Sequence, residues 1–128
     1  MSDSEVLARI RAICVEFPDV QEGLLQERPL FHVRRRRFAI FNGTDAPPRR
    51  RWAGFGPSLH FATDPREHAA MQSDPRFRAS PHHGFRGWMA LELQPCAIDW
   101  PEITRLVEAA YRQVAGRELV ATLDARRE

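Results

Sequence analysis

The sequence predicts an α+β fold of two layers, an antiparallel β-sheet with N- and C-terminal helices packed on one face. Three observations lead to it. Apolar residues recur at helical spacing near both ends, at Val6, Leu7, Ile10, Ile13, Cys14 and Phe17 and again at Ile103, Leu106, Val107, Ala110, Tyr111 and Val114. Between them lie short runs rich in aromatic and branched residues, bounded by Gly, Pro and Asp. Each long helix has a single apolar stripe, so both cover the same side of the sheet. At 128 residues the chain fits one domain, 1–128.

The elements follow in order. Ser2 with Glu5 has the capping-box spacing and opens the first helix, and Pro18 closes it. Val20 to Arg28 is acidic and lacks a firm period, so a loop is expected. Strands are predicted from Pro29 to about Arg34 and from about Arg37 to Phe41. They form a hairpin with Arg35 and Arg36 at or near its tip. A tight two-residue turn favours Asn-Gly or Gly residues. Arginine in the left-handed region costs about 1 kcal/mol, so a wider or bulged turn is expected.

Asn42 to Pro57 holds three Pro and three Gly and reads as a loop. Ser58 to Thr63 alternates as a strand. Asp64-Pro65-Arg66-Glu67 is a helix start, with Asp as cap, Pro in the first position and Glu in the third. That helix stops near Ser73, and Asp74 to Arg86 is irregular. Gly87 to Leu93 is a strand with Met89, Leu91 and Leu93 on one face. Asp99 or Trp100 caps the last long helix, with Trp100 stapling it to the sheet. Gly116 is its C′ candidate, and a short helix follows. Alternation places Val33, Phe38, Ile40, Phe61, Met89 and Leu91 toward the helices. His32, Arg34, Arg37, Phe41, His60, Trp88 and Glu92 then face outward. They form a basic and aromatic surface unless loop Asn42–Pro57 or a partner subunit covers it.

Composition excludes several classes. Hydrophobic content of 43% and charged content of 28% are those of an ordinary globular domain. No apolar run reaches transmembrane length, and the polar start Met-Ser-Asp-Ser-Glu is no signal peptide. Cys14 and Cys96 have neither metal nor redox spacing, and Cys14 lies on the apolar helical stripe. The expectation is a soluble, cytoplasmic protein with no membrane partner and no cofactor. His82-His83, His32, His60 and His68 match no zinc pattern. There is no nucleophile elbow, P-loop, dinucleotide fingerprint or His-Glu metal helix, so no catalytic residue is assigned and no enzyme is expected.

The arginines carry the functional signal. Every basic side chain other than histidine is Arg. Residues 1–27 hold two Arg and six acids, net −4; residues 28–86 hold twelve Arg and four acids, net +8; residues 87–128 hold five Arg and seven acids, net −2. A near-neutral chain thus has a basic middle between acidic ends. Guanidinium groups bind phosphate bidentately and stack on aromatics, which suits an anionic partner. The candidates are Arg34, Arg35, Arg36 and Arg37, then Arg49, Arg50 and Arg51 with Trp52 as a stacking ring. His83, Arg86 and Trp88 form a third group. Six neutralised phosphates would give a slope of log K against log salt of about −5.

The order of segments resembles the MmcQ/YjbR family of small bacterial proteins. The resemblance rests on Phe17-Pro18-Asp19-Val20-Gln21-Glu22, on Pro29-Leu30-Phe31-His32-Val33-Arg34 leading into Phe38-Ala39-Ile40-Phe41, on Pro81-His82-His83-Gly84-Phe85-Arg86-Gly87-Trp88-Met89-Ala90-Leu91, and on the helix after Asp99-Trp100. It implies a YjbR/CyaY-like α+β fold and a DNA-binding protein with a double-wing arrangement of strands. The chain departs from the family at the first hairpin, where Arg35-Arg36 stands in place of a Gly-Lys type turn. The wider fold group includes iron-binding frataxin-like proteins with an acidic ridge. The first helix here has only Asp3, Glu5, Glu16 and Asp19, too few and too scattered for iron. The sequence reading is a non-enzymatic domain that contacts DNA or another polyanion through its arginines. The alternative is a small-molecule or protein-interaction module recognising an acidic ligand or partner.

Overall fold

The computed structural model describes residues 1–81, 87–94 and 97–128. Six strands among these residues form one antiparallel sheet: β1 (Val20–Leu25), β2 (Arg28–Val33), β3 (Arg36–Asn42), β4 (Ser58–Phe61), β5 (Phe77–Ala79) and β6 (Met89–Glu92). Their spatial order is β1-β2-β3-β4-β6-β5. Four helices accompany them: α1 (Asp3–Cys14), α2 (Pro65–Gln72), α3 (Trp100–Ala115) and α4 (Arg117–Arg126). This is the α+β architecture the sequence predicts.

The helix starts are where local chemistry puts them. Ser2 accepts from the Glu5 amide at 3.2 Å, Asp64 from Arg66 at 2.9 Å and Asp99 from Glu102 at 3.1 Å. Each side chain satisfies an amide that the helix cannot. Val6, Ile10 and Cys14 of α1 are buried, as are Ile103, Val107, Ala110 and Tyr111 of α3. Burial pushes the Cys14 thiol up to about 12. Tyr111 stacks on Phe17 and meets Phe38 edge-on, with centroids 5.0 and 5.7 Å apart, and its hydroxyl donates to the Pro18 carbonyl at 2.7 Å. One residue thereby ties α3 to the end of α1 and to the sheet. Trp100 lies under the Arg9 guanidinium, 4.6 Å away, which joins α3 to α1, and it packs half-buried against the core.

Three expectations change. Val20 to Leu25 is a strand, pairing along its length with β2. It is an edge strand with no fully buried residue, so Gln21, Glu22 and Gly23 carry no apolar alternation. A short strand, β5, lies in the stretch expected to be irregular, paired to β6 through three residues. The third change is a bulge. Phe31 pairs with Ala39 but His32 pairs with Arg37, so Phe38 is the extra residue. Beyond it the faces of β3 exchange. Ile40 pairs with His60 on the side away from the helices, and Phe41 pairs with Leu59 on the helix side. Phe41 there approaches Gly43, where an added Cβ would also lie 2.5 Å from the α1 carboxylate of Asp3. Asp3 accepts the Asp45 amide at 3.0 Å, which anchors the start of the following loop.

The second face of the sheet is not open. Loop residues 43–57 fold over it. Trp52 is 3% exposed, and its ring and that of Phe55 sit 4.8 and 5.1 Å from His60. His60 is fully buried and bonded on both nitrogens, to Ser58 Oγ and Ser80 Oγ, each at 2.9 Å. The Ser58 hydroxyl donates to the Gly56 carbonyl, so His60 Nε2 donates to Ser58. Ser58 and Ser80 are as buried as the histidine. They form a polar strut within the core.

Candidate functional site

The arginines expected to act together are placed at the two ends of one hairpin. β3 runs seven residues from Arg36 to Asn42, roughly 20 Å at about 3.3 Å per residue. Arg34–Arg37 lie at the end nearest the α3–α4 junction. Arg49–Arg51 lie at the other end, where Arg49 pairs with Glu27 at 3.1 Å.

At the first end Val33 pairs with Arg36, so Arg34 and Arg35 make a two-residue turn. The expected wider turn is absent; the irregularity is the bulge at Phe38 inside the hairpin. Arg34 takes the left-handed conformation, φ +56°. His32 Nδ1–H donates to the Arg34 carbonyl at 3.0 Å and helps hold it there. All four arginines are exposed. Arg34 faces Asp19 at 3.6 Å across solvent, a pair worth at most about 1 kcal/mol. Arg36 Nη1 donates to the Val114 carbonyl at 2.9 Å, placing a cation on the negative end of α3. Arg35 makes no side-chain hydrogen bond or ion pair among the described residues.

Two open clefts meet at this tip. One, of about 580 Å³, is lined by Arg35, Arg36, Arg37, Thr63, Trp88 and Gln113 among others. The second, of about 490 Å³, runs between Arg34–Arg36 and the start of α4 at Gly116, Arg117 and Glu118. Gly116 has φ +86° and both ends α3 and precedes α4. Trp88 borders the first cleft but is 6% exposed, so it packs as a wall rather than projecting as a stacking ring. His83 and Arg86 lie outside the described residues.

The opposite end is built differently. β1 and β2 are joined by Gln26 and Glu27, both with positive φ, the signature of a type I′ turn without its usual Asn-Gly. Three contacts hold this strained turn. Trp52 Nε1–H donates to Gln26 Oε1, Arg49 pairs with Glu27, and Arg28 Nη1 donates to the Gln26 carbonyl at 2.7 Å. Arg28 is 2% exposed. Its other donors reach Asn42 Oδ1 at 2.8 Å and the Pro47 carbonyl at 2.7 Å, and its guanidinium lies 4.7 Å from the Trp52 ring. Burial, then the charge of Arg49, holds its pKa below the ordinary arginine value, against a smaller opposing effect from Glu27.

Trp52 is therefore a core residue, and the expectation that it stacks on bases is corrected: its ring is covered by Arg28 and His60. Phe41 and His60, expected on an outward surface, are also buried. Sequence reasoning missed Arg28. Its only signal was its place before Pro29-Leu30, which does not announce a buried cation. Among the described residues no three His, Cys, Asp or Glu side chains are placed to hold a metal ion, and no helix is long and apolar enough to cross a membrane.

A family model described as YjbR matches residues 15–113. A search of curated proteins finds no significant match.

Proposed function

The chain belongs to the YjbR family, and on that premise we propose that it binds nucleic acid, DNA in the first instance, without catalysing a reaction. The contacts are made by Arg34, Arg35 and Arg37 at the hairpin tip, with Arg36 and Arg117 along the adjoining clefts. The observation that carries this reading is the state of the tip's charges. Several arginines elsewhere are neutralised by carboxylates: Arg11 by Glu22, Arg76 by Asp74 and Glu102, Arg112 by Glu108 and Asp124. The pull of those partners raises the pKa of Arg76 and lowers that of Asp74. At the tip, among the described residues, Arg34 meets Asp19 at 3.6 Å, Arg36 bonds to the neutral Val114 carbonyl, and the Arg35 side chain makes no ion pair. Exposed cations on a projecting charge run suit a phosphate backbone, which supplies affinity without sequence readout.

Fluorescence anisotropy with a DNA duplex at two salt concentrations tests it. With four phosphates contacted, log K should fall against log salt with a slope of roughly −3.6. Replacing Arg35 or Arg37 by Ala should flatten that slope by about 0.9 per residue. No binding at low salt, or a slope unchanged in both variants, overturns the reading.

A further inference from the structure

We propose that loop 43–57 forms a second anion site, separate from the hairpin tip, that takes a small organic molecule bearing a phosphate group. The site is a cleft of about 500 Å³ at the far end of the hairpin. That volume lies in the range of small-molecule pockets, about 300–1,000 Å³. Its lining includes Arg28, Arg49, Arg50, Thr44, Trp52 and Phe55, and it contains three cations and no carboxylate.

Arg28 is the central observation. A guanidinium this deeply buried ordinarily faces an acid. Here its acceptors are one amide oxygen and two carbonyl oxygens, all neutral, and it makes no ion pair among the described residues. Those three bonds use three of its five N–H groups. Arg49 adds a second cation nearby, and Glu27, its partner, is itself largely exposed and does not line the cleft. Arg50 is exposed at the rim and its side chain makes no hydrogen bond or ion pair among the described residues. The fold therefore holds a buried, incompletely bonded cation beside two more, with repulsion that a bound anion would relieve. Phosphate matches this best, because its oxygens can accept from several guanidinium groups at once. Phe55, Pro48 and Pro57 give the cleft an apolar wall, and its volume leaves room for an organic group beyond the phosphate.

The strained turn supports the same reading. Gln26 and Glu27 are held in left-handed backbone by the residues that shape the cleft, and strain of this kind clusters at ligand sites. The proposal does not depend on DNA binding at the tip, and the two fail separately.

The test titrates the full chain with phenyl phosphate and with inorganic phosphate, following the Trp52 indole N–H resonance. Saturable binding is expected, tighter for phenyl phosphate, with the indole signal shifting. Arg50→Ala should weaken it about tenfold or more, the loss of one charge-assisted contact. Arg49→Ala should weaken it as well, and Arg35→Ala should leave it unchanged. Arg50 is exposed and its side chain makes no bond among the described residues, so its replacement leaves the fold intact; an amide spectrum of Arg49→Ala checks that the Gln26–Glu27 turn survives loss of the Arg49 pair. Absence of saturation at millimolar phenyl phosphate overturns the proposal. So does binding that survives both loop variants, or binding that is lost with Arg35.

Discussion

The two ends of the β2–β3 hairpin use the same side chain for opposite purposes. At the tip, the arginines are exposed and carried on a tight turn. At the other end, Arg28 is 2% exposed, bonded to three neutral oxygens and covered by Trp52. The difference lies in what surrounds each one. A guanidinium with solvent on most sides keeps its charge available to a partner. One surrounded by carbonyls and an aromatic ring organises the chain around it, here one turn and a fifteen-residue loop.

The contrast can be broken at several points. Trp52→Ala should have the largest effect, a loss of about 3–5 kcal/mol measured by urea unfolding, because a large buried ring leaves a cavity between Arg28 and His60. A small effect would mean the loop does not cover the sheet. Arg28→Met should lose roughly 3 kcal/mol by the same measurement, since Asn42 Oδ1 and two carbonyls forfeit their donor. The tip should behave differently. Arg34→Gly should raise stability by up to about 1 kcal/mol by relieving the left-handed backbone, while Arg35→Ala should stay within about 0.5 kcal/mol of the parent. A large loss at Arg35 would erase the distinction between the two ends.

What could be read from the sequence was whatever is decided within a few residues. The caps at Ser2, Asp64 and Asp99 use side chains two or three positions from the amides they satisfy, so all three helix starts were legible. The apolar stripes of α1 and α3 repeat with the helix, and their buried faces followed. β1 was not legible, because an exposed edge strand has little reason to alternate. The exchange of Ile40 and Phe41 between faces was not legible either. It depends on one extra residue opposite Phe31, a mismatch between two strands that neither contains alone.

The candidate site divides in the same way. The exposure of Arg34–Arg37 followed from a charge run between two apolar strands, since four guanidinium groups cannot share a core. The second cluster is a different case. Arg49–Arg51 and Trp52 are consecutive, yet three of them face outward and the ring is buried.

By itself, then, the sequence determined the class of fold, the capped helix starts and a hairpin crowned with positive charge, because periodicity, capping and charge density are local. Tertiary structure alone decided that the two arginine clusters sit at opposite ends of that hairpin. It also decided that loop 43–57 closes the second face of the sheet, and that Arg28 is buried against Trp52. Those outcomes depend on contacts between residues 8 to 24 positions apart, such as Arg28 with Asn42, Pro47 and Trp52 and His60 with Trp52 and Ser80, or on the reach of Arg36 to Val114, 78 positions away. No single segment of the chain contains both partners of such a contact.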